Sequence, residues 1–166
     1  MEEWLTYQNI KDVVLFILAI WGATLSTFNL WQSIHKNRRC VEVCASTAIP
    51  AYDNSNLGNC FAEIKATNTG NRPVTVNTLV FELPNKARLF PTTLQGLPGM
   101  QNKPLPVTLN DGESVRHHIS YHVIANTLIS SGRNDITELT PICEDSAGGI
   151  HKGKPWIINP SEMLKM

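Results

Sequence analysis

VVLFILAIWGATLSTFNLW, residues 13–31, carries no charged side chain. As a helix these 19 residues reach about 28 Å, close to the hydrocarbon thickness of a bilayer. A small soluble domain rarely holds a helix that is apolar on every face. In a chain of 166 residues the stretch predicts one transmembrane helix over 13–34, with the rest folding separately.

Its flanks predict an orientation. Glu2, Glu3 and Asp12 precede it with Lys11 the only base, whereas Lys36, Arg38 and Arg39 follow it closely. Basic residues beside a span stay on the cytoplasmic side. Residues 1–12 are therefore expected outside, 35–40 as a basic juxtamembrane linker, and 41–166 inside. A cleaved signal peptide would need a basic leader and a small-residue cleavage site. Here the leader is acidic and IHKNRR follows the apolar run. Trp31 sits where an interfacial ring is useful, while Trp21 falls mid-span and must face lipid or another helix.

Within the span, Gly22, Ser26 and Asn29 recur at i, i+4 and i+7, with Ala19 and Ala23 beside them. Small residues let helices approach closely, and an amide in hydrocarbon seeks a partner across the interface. A chain with one span has no second helix to supply that partner, so this face predicts self-association. A helix that merely tolerates these residues is the plainer alternative.

Past the span the charge is nearly balanced. Setting aside Lys11 and the acids Glu2, Glu3 and Asp12 leaves 13 bases and 11 acids. That is no charge pattern for duplex nucleic acid. The four cysteines, Cys40, Cys44, Cys60 and Cys143, are expected as thiols in a cytoplasmic domain. With the opposite topology they could form two disulfides in a periplasmic binding module. Cys40 and Cys44, just after the span, are also placed for acylation, although small strand side chains are the simpler reading.

The remainder reads as strands and turns. Val41, Val43 and Ala45 alternate with Glu42, Cys44 and Ser46; Cys60, Ala62, Ile64 and Ala66 alternate with Phe61, Glu63, Lys65 and Thr67. Residues 48–59 read as a loop. Asn68–Pro73 reads as a turn in which Gly70 and Asn71 supply positive φ. Val74 and Val76 share one parity, and Leu79, Phe81 and Leu83 the other, which predicts a β-bulge at Asn77–Thr78. Residues 84–104 hold four of the ten prolines and predict an irregular connection with a short strand near 87–90. Pro106–Leu109 is expected as a strand and Asn110-Asp111-Gly112 as a hairpin-type turn. Ser114–Val123 reads as one strand, with His117 beside Val115, Ile119, Tyr121 and Val123. Residues 124–131 suit a short helix or loop. Strands at 137–144 and 156–158 flank a turn at 145–149. Seven or so short strands with turns between them predict an antiparallel β-sandwich or small barrel.

Few motifs carry chemistry. Gly148–Lys154, GGIHKGK, matches a phosphate loop as far as its lysine, but Pro155 replaces the hydroxyl residue and no helix follows. His118 and His122, two pleats apart on a strand, lie about 13 Å from one another, too far to share a zinc. Arg116, His118, Ser120 and His122 form a donor-rich outer stripe that could receive a small anionic ligand such as a nucleotide. An ordinary solvated face is the competing reading. No nucleophile elbow, H-E-x-x-H or C-x-x-C is present, and Glu144 and Asp145 would face opposite ways. The sequence thus predicts a non-enzymatic protein with no metal or cofactor.

Asn68–Val76, Leu109–Ser114 and Glu144–Gly148 give the chain a resemblance to a loose group of small bacterial inner-membrane proteins with one N-terminal anchor, a basic linker and a cytoplasmic immunoglobulin-like β-sandwich. Some similarly built proteins are membrane effectors of anti-phage defence, in which a cytoplasmic sensor controls membrane integrity. The resemblance implies an immunoglobulin-like sandwich, a bacterial inner-membrane location and a binding role. It supplies no catalytic residues. The expected partners are the bilayer, further copies of the chain, and a protein or small anionic ligand; a structural subunit of a larger membrane complex is the alternative.

Overall fold

The computed structural model of the chain describes residues 2–37, 39–51, 58–91, 96, 97, 99 and 101–166. It divides into two compact units, residues 1–38 and 39–166.

The first unit is one helix, α1, Glu2–Lys36, unbroken for 35 residues. It holds no proline and a single glycine, Gly22, so nothing in it interrupts the helical ladder. Residues Gln8–Ile34 form a candidate span of 27 residues, none of them buried, and its most apolar 18-residue window has mean hydropathy 1.9. The helix therefore extends past both ends of the charge-free run, and it is long and apolar enough to cross a membrane. Arg38 lies outside the described residues, as does the side chain of Lys36, and so does half of the expected loop, residues 52–57.

The second unit is an antiparallel, immunoglobulin-like β-sandwich with, among the described residues, nine strands and two short helices: β1 Val41–Ala48, β2 Phe61–Asn68, β3 Val74–Glu82, β4 Arg88–Leu89, β5 Val107–Leu109, β6 Ser114–Ser120, α2 Tyr121–Ser130, β7 Thr137–Asp145, β8 Ile150–Lys152, β9 Trp156–Ile158 and α3 Pro160–Met163. One sheet has the order β1-β2-β6; the other runs β4-β3-β7-β8, with β5 on β3 and β9 on β7. Strict alternation builds the first sheet. Ala62, Ile64 and Ala66 of β2 point inward and are fully buried, beside Val43, Val115 and Ile119. They meet Val76, Leu79, Phe81, Leu139 and Cys143 of the second sheet in one core.

The predicted bulge is present: the β3–β7 register shifts between Val76 and Thr78, which turns Val76 and Leu79 to the same side. β8 and β9 continue one another along β7. The β7–β8 register pairs Ile142 with Lys152, and the β7–β9 register pairs Leu139 with Trp156. The extra residue between them sits at Gly153–Pro155, where the Gly153 amide donates to the Pro141 carbonyl at 2.8 Å. A Cβ on Gly153 would collide with the Val43 carbonyl, so only glycine lets β1 pass this close.

Three turn and strand expectations are corrected. Gly70 and Asn71 do not adopt positive φ. The turn is instead held by Asn68, whose buried amide donates to the carbonyls of Arg72 and Leu109 at 2.8 and 3.0 Å and accepts from the Gly70 amide at 3.0 Å. Asn110–Gly112 is not a hairpin turn, because β5 and β6 belong to different sheets and the turn passes the chain between them. The strand from Ser114 ends at Ser120, and Tyr121 opens α2. Tyr121, Ile124, Ala125 and Leu128 are the buried residues of that helix, a spacing of i, i+3, i+4 and i+7.

Candidate functional site

The end of β6 fixes what the outer stripe can do. Arg116 stays exposed on the outer face. His118 shares its parity but is buried, its Nε2 donating to Glu63 Oε2 at 3.1 Å. Ser120 is half-buried as the last strand residue, and His122 is half-buried on α2, past the end of the strand. Arg116, His118 and Ser120 thus remain in line, while His122 is carried away by the change of period.

A strap seals the free edge of β6. The Asn102 side chain accepts from the His118 amide at 2.8 Å and donates to the His118 carbonyl at 3.0 Å, as a neighbouring strand would. Next to it, His117 Nε2 donates to the Lys103 carbonyl at 2.8 Å. His117 Nδ1 is buried and has no hydrogen-bond partner. Burial holds this imidazole below its ordinary pKa, against the Lys103 carbonyl bond and with repulsion from His118. A neutral His117 with its proton on Nε2 is the form that fits the site.

Two further ionic groupings belong to the second sheet. Asp145 closes its turn by accepting from the Ala147 and Gly149 amides, both at 2.8 Å, and from His151 at 3.1 Å. Burial opposes its ionisation, yet these bonds hold its carboxyl below the usual carboxylate range. On the outer face, Arg88 pairs with Glu144 at 2.7 Å and Lys152 with Glu82 at 2.6 Å. Val80 and Ile142 have the same outward parity and are fully buried. Glu82, Glu144 and Asp145 are each engaged in a turn or an ion pair. Among the described residues no group of three or more His, Cys, Asp or Glu side chains could hold a metal. The segment resembling a phosphate loop spans β8 and the bulge after it, within an edge strand.

The thiols divide by exposure. Cys40 and Cys44 are exposed and Cys60 and Cys143 buried, all four free. Burial, with repulsion from Asp145 and Glu144, pushes the Cys143 thiol up to about 12.

A cleft of about 330 Å³ lies at the end of the sandwich where β1 finishes. Thr47, Ile49, Cys60, Tyr121, Trp156 and Met163 are among its lining. The Tyr121 hydroxyl bonds Thr47 Oγ1, and the Tyr121 amide donates to the Cys60 carbonyl at 3.0 Å. Trp156 packs between Phe81 and Tyr121, each ring centre 5.8 Å away. Burial raises the Tyr121 phenol above its ordinary pKa, against the Thr47 bond. Sequence reading missed this cleft. Its walls come from four separate stretches of the chain, and the one local signal was the helical spacing that begins at Tyr121.

On α1, Ala19, Gly22, Ala23, Ser26 and Asn29 occupy an arc of about 120°. All five are exposed. The Thr27 hydroxyl returns its hydrogen bond to the Ala23 carbonyl at 2.8 Å, and Thr24 likewise bonds the Ile20 carbonyl. The Asn29 amide has no such partner among the described residues.

No protein-family model matches the chain, and no curated protein matches it. The X-ray structure of Northeast Structural Genomics Consortium target SoR45 is similar over 72% of this chain and 86% of that one, at 10% identity and a TM-score of 0.35. So remote a likeness says nothing of ligand or activity.

Proposed function

We propose that this chain is a non-enzymatic, membrane-anchored binding or sensor protein. The observation that supports the reading is the helical segment Gln8–Ile34, unburied throughout and charge-free from Val13 to Trp31, joined to a sandwich with a core of its own. In the proposed arrangement the N-terminus is outside a bacterial inner membrane and the sandwich is cytoplasmic, with Lys36, Arg38 and Arg39 retained inside. Copies associate through Ala19, Gly22, Ala23, Ser26 and Asn29, where the Asn29 amide finds its partner across the interface. The sensed molecule is a protein or a small ligand. An anionic ligand at the outer face of β6 would meet Arg116 and Ser120, with His118 already bonded to Glu63.

In its sharp form the protein is an effector of anti-phage defence that disrupts the membrane when triggered. The alternative, an accessory subunit of a larger membrane complex, draws on the same unpaired Asn29, since a different protein's helix could satisfy it. The two readings separate in cells. An effector depolarises the membrane on activation, and Asn29→Leu abolishes that. An accessory subunit gives no depolarisation in either form and is captured with foreign membrane proteins instead.

Topology is tested with the exposed thiols. Cys40 and Cys44 should resist an impermeant maleimide in intact spheroplasts and react after lysis. Labelling before lysis would invert the arrangement.

A further inference from the structure

We propose that the cleft at the end of the sandwich where β1 finishes is a binding site for a small organic cation with an apolar body. The inference goes beyond the anchoring reading. It uses only the geometry of the sandwich, and holds whichever side of a membrane the sandwich occupies.

The cleft is built for an apolar guest. Cys60, Tyr121, Ile158 and Met163 are each under a tenth exposed and form its floor, with the half-buried Trp156 beside them. Beyond α1, seven large apolar side chains are exposed among the described residues, and three of them ring this mouth: Ile49 at 46%, Ile157 at 70% and Met166 at 56%. Such a concentration around one concavity marks a site that gains by being covered. Its volume of about 330 Å³ suits a small molecule rather than a helix or strand.

Charge selects the guest. Among the described residues the lining holds one side-chain carboxylate, Glu162, and no Lys, Arg or His. Glu162 makes no ion pair among the described residues. Asn159 spends its side-chain oxygen on the Ser161 amide at 3.1 Å, capping α3, so that oxygen is already committed. A cation with an apolar body would therefore find an unpaired carboxylate beside apolar walls, whereas an anion would find no counter-charge.

The test uses the full chain in lipid nanodiscs, with Cys40→Ser and Cys44→Ser so that Cys60 reports on the cleft. Cys143, with its thiol near 12, stays silent at neutral pH. The rate of Cys60 alkylation by a maleimide is measured against three phenyl probes of like size: phenyltrimethylammonium, benzyl alcohol and benzenesulfonate. So small a cation should protect Cys60 with a Kd on the order of millimolar. It should bind about three- to fivefold more tightly than the alcohol, and the sulfonate should not protect. Glu162→Gln, an exposed substitution, should bring the cation to the level of the alcohol without changing the thermal transition. Equal protection by the sulfonate, unchanged cation binding in Glu162→Gln, or no protection by any of the three would overturn the proposal.

Discussion

The helix and the sandwich use the same apolar residues in opposite ways. Phe16, Leu18 and Trp21 on α1 are 60–67% exposed, whereas Phe81, Leu79 and Ile64 in the sandwich are at most 1% exposed. The sandwich has hidden its apolar surface from water by its own folding; the helix has hidden none. Burying a large apolar side chain is worth about 1.5–3 kcal/mol, so a helix with this many exposed gains by entering another apolar medium. The sandwich leaves few large apolar side chains exposed among the described residues, and three of those seven, Ile49, Ile157 and Met166, surround one cleft. That contrast points to lipid for the helix and to a guest molecule for the cleft.

The sharpest way to break the comparison is to cut the same residue type in both units. Phe81→Ala should lower the stability of the sandwich by about 3–5 kcal/mol, read from a urea transition of the full chain in nanodiscs. Phe16→Ala should leave that transition in place. If both variants shift it, the sandwich draws stability from the helix and the two units are not independent.

A smaller effect tests the close crossing at the β8–β9 bulge. Gly153→Ala forces a methyl group into the Val43 carbonyl and the Pro141 ring, and should cost about 1–3 kcal/mol on the same measurement. Gly22→Ala should cost the sandwich nothing, because a Cβ there meets no atom within 4 Å.

The third contrast is electrostatic. His117 has its folded pKa held below the ordinary 6.5. Above that value His117 is neutral in both states and contributes no pH dependence. As pH falls through 6.5, the unfolded chain takes up a proton that the folded chain refuses. Sandwich stability therefore falls with acidification until the pH passes the folded pKa, and recovers as pH rises. Asp145, held below 3.8, adds stability that is lost only under more acid conditions. Urea midpoints from pH 7.5 to 5 should decline in the parent and decline less in His117→Gln. Equal slopes would remove His117 from the account.

Much of this fold was legible in the residues. The parity break between Val76 and Leu79 placed the bulge, and the alternation of Cys60 to Ala66 placed β2. The strand into Val123 misled because Tyr121 and Val123 continue the two-residue alternation of Val115 and Ile119. The competing spacing of Tyr121, Ile124, Ala125 and Leu128 won because those side chains bury together only as a helix. Asn102 was unreadable. Its bonds to His118 join residues 16 apart with no periodic signature. The cleft was hidden for the same reason, since neither Cys60 nor Trp156 carries any local mark of the other.

Alkaline carbonate extraction of cells expressing the full-length chain tests the central claim most directly. A helix held in hydrocarbon keeps the protein in the membrane pellet at high pH and high salt. Recovery of the intact chain in the supernatant would contradict the account, since the exposed face of α1 would then have found its cover in water-soluble company.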